Sequence, residues 1–234
     1  MGDLPAAAPS EHPPVGDGGH VWPPLPSSLA IADRQLHVVL ASVPAVAASA
    51  GASALPPDEL ARADGFRRPG PRARYVAGRV VVRELLRRCA EAGADDAPLS
   101  CSPQGKPYLP RPGAPRFSIS HADDIVLVAL ADEEVGVDVE ADQRELDAVA
   151  LARRVLGPQA ATRLAALEPE ARRTAFLGLW TRHEAALKCR GVGLGGNPED
   201  AAGLTVQSLP LPGPYAGAVA TTTPCKLARW SWAP

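Results

Sequence analysis

The chain has 234 residues, a length that fits one domain or two small ones, and its 24 Lys and Arg residues nearly balance its 26 Asp and Glu residues. The resulting formal charge of −2 at pH 7 argues against a protein that works mainly by coating nucleic acid or an anionic membrane. Hydrophobic residues make up 46% of the chain, which is enough for a real core and excludes a wholly disordered protein.

The cysteines and the N-terminal residues predict a cytoplasmic location. The four cysteines are widely separated, with no C-x-x-C pair and no His at zinc-finger spacing, so we expect reduced, buried thiols. The first residues lack the basic and apolar regions of a secretory signal. The most apolar window, residues 36–55, contains His37 and Pro44, which makes it a poor candidate for a membrane span.

The first half of the chain begins with a proline-rich segment. Residues 1–32 contain seven Pro and four Gly without apolar periodicity, which predicts a disordered N-terminal arm. Between residues 62 and 88, nine arginines against two acids form a patch with a net charge of +7. In the segment 33–133 we predict strands at 35–40, 116–120 and 125–131 and helices at 57–64 and 71–92.

The second half, residues 134–234, again mixes strands with helices. The longest predicted helix begins with Pro-Glu and is followed by Gly191, a typical helix end. The order of the elements predicts an α+β fold built from two similar halves, residues 33–133 and 134–234. In the second half we predict strands at 135–140, 204–209, 216–222 and 226–232 and helices at 145–156, 158–167 and 169–190.

The sequence VGVDVE at residues 135–140 places two carboxylates on one face of a strand, because alternate residues of a strand point the same way. Asp138 and Glu140 repel each other unless a cation lies between them. Oxygen ligands in this arrangement suit Mg²⁺. A strand end that enters solvent gives the same pattern, and this motif alone does not decide between the two interpretations.

The sequence WTRHEAALK at residues 180–188 lies within the long predicted helix. Trp180, Glu184 and Lys188 are spaced by four, so they share one helix face. By itself, this spacing favours a solvated Glu–Lys pair beside a core tryptophan.

Two further motifs carry groups suited to phosphate. FSISH at residues 117–121 ends a predicted strand in Ser120 and His121, which can present a polar or cationic tip. QGKP at residues 104–107 combines a glycine, which allows close backbone approach, with the point charge of Lys106.

The four motifs, in the order GKP, FSISH, VGVDVE and W-T-R-x-E-A-x-x-K, resemble those of the Sfp-type 4′-phosphopantetheinyl transferases. The resemblance covers roughly residues 55–210. It implies a pseudo-dimeric monomer of two α+β halves with coenzyme A in the cleft between them. It also implies transfer of the phosphopantetheine arm of coenzyme A to a serine of an acyl- or peptidyl-carrier domain, with Mg²⁺ as cofactor and release of 3′,5′-ADP.

The resemblance implies a role for each matching residue. Asp138, Glu140 and Glu184 would hold the metal beside the pyrophosphate. Glu184 would also accept the serine proton, directly or through a water, and Lys188 would stabilise charge on the phosphates as the P–O–P bridge breaks.

The remaining matches would contact the phosphates of coenzyme A. Lys106 corresponds to the family's GKP lysine, and Ser120 with His121 corresponds to the pair that meets the 3′-phosphate. Arg74 aligns with a helix arginine near that phosphate, and Arg62 with a basic position upstream. Five arginines of the patch have no counterpart in the motifs, and for them solvated or structural roles are at least as plausible: Arg67, Arg68, Arg72, Arg79 and Arg83.

His183 stands where the family usually has lysine before the helix glutamate. We expect this position to point away from the reaction, since Glu184 and Lys188 remain. Carrier docking is expected along residues 141–170, where Leu151, Val155 and Leu156 offer an apolar contact unless they belong to the core.

Two other functions remain open from the sequence. A hydrolase of nucleotide pyrophosphates would need similar carboxylates but no protein acceptor. A catalytically inactive relative would bind coenzyme A or carrier domains as a scaffold. For the leading function we expect no nucleic-acid or membrane partner.

Overall fold

The computed structural model describes residues 22–31, 34–89, 97–142, 146–193 and 202–232. In chain order, the elements of these residues are β1 (Gln35–Ser42), α1 (Val43–Ser49), α2 (Pro57–Asp64), α3 (Pro69–Arg88), β2 (Ser100–Cys101), β3 (Pro107–Tyr108), β4 (Arg116–Ala122), β5 (Ile125–Ala131), β6 (Val135–Ala141), α4 (Ala148–Val155), α5 (Pro158–Ala165), α6 (Pro169–Arg190), β7 (Thr205–Leu209), β8 (Tyr215–Thr221) and β9 (Lys226–Ser231). The predicted strands and helices are all present, with ends shifted by a few residues.

Two sheets carry the fold and share one topology. The first sheet has the order β4-β5-β1-β9, and the second has the order β6-β8-β7. In the first half a strand (β1) is followed by a long helix (α3) and an antiparallel pair (β4 and β5), and in the second half β6, α6, β7 and β8 repeat this arrangement. The predicted α+β class with two similar halves is confirmed.

The last strand does not stay in its own half. β9 pairs in parallel with β1, with Val38 opposite Arg229 and Leu40 opposite Ser231. The expected division at residues 133/134 therefore does not separate the strands of the two sheets. Strand order cannot be read from alternation alone, because any alternating segment can pair with any open edge.

Residues 22–31, which fall within the predicted disordered arm, are ordered in the structure. Residues 1–21 lie outside the described residues, but Trp22, Leu25 and Leu29 are buried. The Leu25 N–H donates to the Ser231 carbonyl at 3.0 Å, and Arg88 donates to the Leu25 and Pro26 carbonyls at 2.7 and 2.6 Å. Three apolar side chains and the open edge of β9 are enough to order a proline-rich segment that has no periodicity of its own.

Helix α1 is an addition to the predicted elements, and Pro44 does not prevent it. Proline is tolerated in the first turn of a helix, where its missing N–H has no intrahelical partner. Pro44 lies in that first turn, and the Ser42 hydroxyl accepts a hydrogen bond from the Ala45 N–H at 3.4 Å.

The cysteine prediction needs one correction. None of the four cysteines forms a disulfide, and Cys189 is buried, but Cys101 is exposed because it lies in the short hairpin of β2 and β3.

None of the helices in the described part of the chain combines the length and apolarity that a bilayer-crossing segment needs.

Candidate active site

The two halves meet where β4 lies beside β6. Ser118 and Ser120 lie on the same face of β4, and their hydroxyls accept hydrogen bonds from the backbone N–H groups of Val137 and Val139 at 3.1 and 3.3 Å. Two strands from different sheets are thus joined by serine side chains rather than by a backbone ladder. The seam places Ser120 next to Asp138.

Helix α6 packs unusually close to β6, and Gly136 makes this possible. A Cβ atom at Gly136 would lie 2.0 Å from the Ala185 carbonyl oxygen and 2.2 Å from the Cys189 nitrogen. Only a residue without a side chain fits such a contact. The close packing brings the Glu184 and Lys188 side chains of α6 to the seam.

Lys188, Asp138 and Ser120 form the centre of the site. The Lys188 ammonium donates to Asp138 Oδ1 at 2.7 Å and to Ser120 Oγ at 2.9 Å, while Ser120 Oγ donates to Asp138 Oδ1 at 3.0 Å. The Asp138 side chain is only 4% exposed, whereas that of Lys188 is 32% exposed. The lysine therefore neutralises a buried carboxylate and still reaches the cleft.

Glu184 and Glu140 complete a group of coupled carboxylates. Burial, followed by the Asp138 charge, raises the pKa of Glu184, which is itself buried. The same two causes raise the pKa of Glu140. A hydrogen bond with Trp180 lowers this pKa and partly offsets the increase. The Asp138 charge acts on both glutamates, so Glu140 of β6 and Glu184 of α6 lie within electrostatic range of Asp138.

The donor set suits a hard divalent cation in its chemistry. Asp138 Oδ2 is buried without a hydrogen-bond partner, and the carboxylates around it repel each other. Among the described residues, however, no three His, Cys, Asp or Glu side chains already converge as metal ligands. The three-carboxylate metal site therefore stays a prediction.

His121 and Arg74 lie beside this centre. His121 is exposed at the end of β4. Partial desolvation lowers its pKa, with smaller effects of the same sign from the Arg74 guanidinium and the Lys188 ammonium. These cations therefore lie near the imidazole, and together they suit an anionic group.

A cavity of about 390 Å³ opens next to Glu184 and Lys188. The GKP motif, β4 and the end of α6 all contribute to its lining. The lining includes Gly105, Lys106, Ser118, Ile119 and Leu187.

Lys106 lines this cavity, but its ammonium contacts the protein. It donates to Glu134 Oε2 at 2.8 Å and to the Val135 and Cys189 carbonyls at 3.0 and 3.3 Å. Arg62 is exposed, and its described contacts are the Tyr75 ring, 6.0 Å from the guanidinium carbon, and Cys101 Sγ at 4.0 Å. In the described residues, neither Lys106 nor Arg62 forms a hydrogen bond or ion pair with the carboxylates of the seam, Asp138, Glu140 and Glu184.

Part of the arginine patch is structural. Glu59 on α2 is buried and forms ion pairs with Arg79 and Arg83 of α3 at 3.4 and 3.1 Å. Arg72 pairs with Asp64 at 2.8 Å on the surface. These ion pairs agree with the solvated or structural roles expected for the three arginines, whereas the buried partner Glu59 was not predicted.

His183 is buried on α6, with Nε2 lacking a hydrogen-bond partner. Burial lowers the pKa of its imidazole, so the neutral form is favoured at neutral pH. Its ring lies 6.4 Å from that of Trp180. It thus supplies no permanent cation where the family usually has lysine.

The apolar residues expected to dock a carrier are partly core. Leu151 and Leu156 are half-buried and pack against the cluster of Ala152, Leu164 and Phe176. Val155 is half-buried as well. Helix α4 therefore uses most of this surface to attach to α5 and α6.

Comparisons with known proteins agree with these motifs. Residues 134–233 match the model of the 4′-phosphopantetheinyl transferase superfamily. HetI of Nostoc, a 4′-phosphopantetheinyl transferase, is 30% identical over 181 residues, covering 75% of this chain and 76% of HetI.

Two other relatives match over shorter regions. A Synechocystis homologue named for the same transferase activity is 34% identical over 142 residues, covering 59% of this chain and 58% of the homologue. The transferase Sfp of Bacillus subtilis is 27% identical over 121 residues, covering 52% of this chain and 53% of Sfp. The matched region thus spans between about half and three quarters of these relatives. The resemblance found in the four motifs is confirmed: the chain belongs to the 4′-phosphopantetheinyl transferase family.

Proposed function

We propose that the protein transfers the 4′-phosphopantetheine group of coenzyme A to a serine hydroxyl of an acyl- or peptidyl-carrier domain. This proposal rests on the charged side chains that meet where the two sheets lie side by side. A lysine ammonium and two coupled carboxylates, one from each of β6 and α6, lie beside a cavity lined by the GKP loop. Phosphoryl transfer needs this combination of a proton acceptor and fixed positive charge.

Glu184 is the group suited to accept the serine proton. Its raised pKa makes its carboxylate a stronger base than that of an ordinary glutamate. The serine oxygen attacks the β-phosphorus of coenzyme A as its proton passes to Glu184. The bond from that phosphorus to the bridging oxygen breaks, and 3′,5′-ADP leaves with the electron pair.

Lys188 is the group suited to stabilise the charge that develops on the bridging oxygen. Its contacts with Asp138 and Ser120 hold the ammonium in place before the reaction. A fixed charge of this kind is most effective in a partly desolvated site, because little reorganisation is needed during the reaction.

Asp138, Glu140 and Glu184 would hold Mg²⁺. The buried, unpartnered Asp138 Oδ2 and the mutual repulsion of the carboxylates support this assignment. When bound, the ion would neutralise charge on the pyrophosphate.

Ser120, His121 and Arg74 are proposed to bind the 3′-phosphate of coenzyme A. The electrostatic effect of Arg74 on His121 supports their proximity. Contact of Lys106 and Arg62 with coenzyme A stays a prediction. A cytoplasmic location and a monomeric state also stay predictions, as does docking of the carrier along residues 141–170.

The test is mass spectrometry of apo carrier domains after incubation with coenzyme A and Mg²⁺. We expect the serine to gain one phosphopantetheine and the solution to gain one 3′,5′-ADP. Cleavage of coenzyme A without a carrier would instead favour the pyrophosphate hydrolase. Binding of coenzyme A without cleavage in the presence of several carriers would favour the inactive scaffold.

A further inference from the structure

The Lys106 ammonium uses all three of its hydrogen-bond donors within the protein. Its three N–H groups are taken by Glu134 Oε2, the Val135 carbonyl and the Cys189 carbonyl, at 2.8, 3.0 and 3.3 Å. An ammonium has three donors and no acceptor. The side chain therefore ties the loop that carries it to the start of β6 and to the end of α6.

Glu134 is the charged partner in this contact. Its carboxylate also pairs with Arg116 Nε at 3.3 Å, and its backbone carbonyl accepts from the Cys189 thiol at 3.2 Å. The carboxylate thus joins the start of β4, the start of β6 and the loop between β2 and β3. We call the contacts of Lys106 with Glu134, Val135 and Cys189 the Lys106 clamp.

The clamp fixes a loop that forms a cavity wall. Within the loop, the Ser102 N–H donates to the Lys106 carbonyl at 2.9 Å, and the Lys106 N–H donates to Ser102 Oγ at 3.1 Å. Lys106 and Pro107 line the cavity beside Glu184 and also a second cavity of about 320 Å³. The loop therefore borders both cavities, and the clamp ties it to α6 through the Cys189 carbonyl.

We propose that Glu134 is a positioning residue for coenzyme A, acting through the Lys106 clamp, and that Lys106 shapes the binding cavity rather than contacting a phosphate. The proposal rests on the proposed function only for the identity of the ligand. The clamp itself involves just the protein, and its partners lie 28, 29 and 83 residues from Lys106 along the chain, so loosening it shifts the loop relative to α6.

Glu134→Gln separates the two possible roles of Lys106 by the sign of its effect. If the clamp positions the loop, removal of the carboxylate charge weakens coenzyme A binding, and we expect the Kd from calorimetry to rise about threefold to tenfold. If Lys106 binds a phosphate directly, removal of its competing partner frees the ammonium, and the Kd stays the same or falls. Asp132→Asn, which removes an exposed acid from the same turn, is the matched control and should leave the Kd unchanged.

A double-mutant cycle gives the second criterion. Lys106→Met alone should weaken binding, and adding Glu134→Gln should weaken it no further, because both substitutions remove the same contact. An unchanged or lower Kd for Glu134→Gln, or additive effects in the double variant, would overturn the proposal.

Hydrogen exchange tests the clamp independently of catalysis. The Gly105 and Lys106 amides donate to Ser102, and we expect both to exchange faster in Glu134→Gln and in Lys106→Met than in the wild type. Unchanged exchange would contradict the clamp even if carrier modification is observed. Faster exchange without any carrier modification would instead show that the proposed function, and not the clamp, is wrong.

Discussion

At the scale of single residues, the site depends on how a buried charge is neutralised. Asp138 Oδ1 accepts hydrogen bonds from both Lys188 and Ser120, while Oδ2 has no hydrogen-bond partner. A buried carboxylate with half of its acceptor capacity unused is costly to stability unless a further ligand uses it. The arrangement is consistent with a site built for a ligand rather than for stability alone.

Lys188→Met tests this arrangement directly. The variant leaves Asp138 buried without its cation, which we expect to cost about 1–3 kcal/mol of unfolding free energy, less than a fully buried pair because the lysine is partly exposed. Transfer should fall by about 100-fold or more, as for loss of other electrostatic groups. Urea unfolding and carrier modification measure the two effects. Lys226→Met, at an exposed lysine, is the control, and an equal loss in both variants would contradict the prediction.

Glu184→Gln separates activity from stability through pH. Because the folded pKa of Glu184 is raised above its usual 4.5, the unfolded chain loses this proton first as pH rises, and folding stability falls between that value and the folded pKa. The glutamine variant lacks this loss. The melting temperature of the variant minus that of the wild type should therefore be larger at about pH 7 than at about pH 4. The transfer rate of the variant should fall by about 100-fold or more.

The control for this prediction is Glu170→Gln, an exposed acid on the same helix. It should show neither the pH-dependent gain in melting temperature nor the loss of transfer. A Glu184→Gln variant whose melting temperature relative to wild type does not change with pH would show that Glu184 is not desolvated in the folded protein.

At the scale of elements, the site depends on one helix-to-strand contact. α6 carries Glu184 and Lys188, β6 carries Asp138 and Glu140, and Gly136 lets the two backbones come within van der Waals distance. The separation of these side chains is therefore set by backbone packing between α6 and β6. The glycine of the VGVDVE motif belongs to the site as much as its acids do.

Gly136→Ala should displace α6. Its Cβ would lie 2.0 Å from a backbone oxygen that cannot rotate away, so we expect a loss of about 3 kcal/mol in unfolding free energy and of most transfer activity. Gly178→Ala is the matched control on α6, because nothing lies within 4 Å of its Cβ position. In that variant, higher helix propensity should stabilise the protein by about 0.5–1 kcal/mol. Equal unfolding curves for Gly136→Ala and wild type would refute the packing argument.

At the scale of the whole molecule, the ends of the chain help to join the halves. β9 extends the first sheet, and residues 23–25 pair with the end of β9 at Ser231. The Trp22 indole donates to the Pro210 carbonyl at 3.1 Å, on the connection between β7 and β8 of the second sheet. The same short segment therefore contacts both halves across the seam that carries the site.

Trp22→Ala should weaken this junction. Removal of a 5%-exposed indole leaves a cavity and an unpartnered carbonyl, so we expect the unfolding free energy to fall by about 3–5 kcal/mol. Ser28→Ala, at an exposed position in the same segment, should change it by less than about 0.5 kcal/mol. Chemical denaturation followed by circular dichroism distinguishes the two. A small effect for Trp22→Ala would mean that the segment is not part of the cooperative fold.

Much of the fold and part of the site were predictable from local pattern. Periodicity and end signals predicted β6, α6 and most of the other elements, because amphipathic segments with clear caps depend little on distant residues. The roles of Lys106 and Arg62 were not predictable in this way, since the motif specifies a residue type and not its partner. The partners of Lys106 come from residues at positions 134, 135 and 189.

The sequence by itself determined the family, the α+β class and the carboxylates of the two motifs, because these depend on residue type, spacing and periodicity along the chain. The tertiary structure alone decided that β9 joins the first sheet, that residues 22–31 are ordered, and that Lys106 is tied to Glu134. It also decided how closely Lys188 approaches Asp138. These features arise from contacts between residues far apart in the chain, and packing selects such contacts among many that local pattern permits equally.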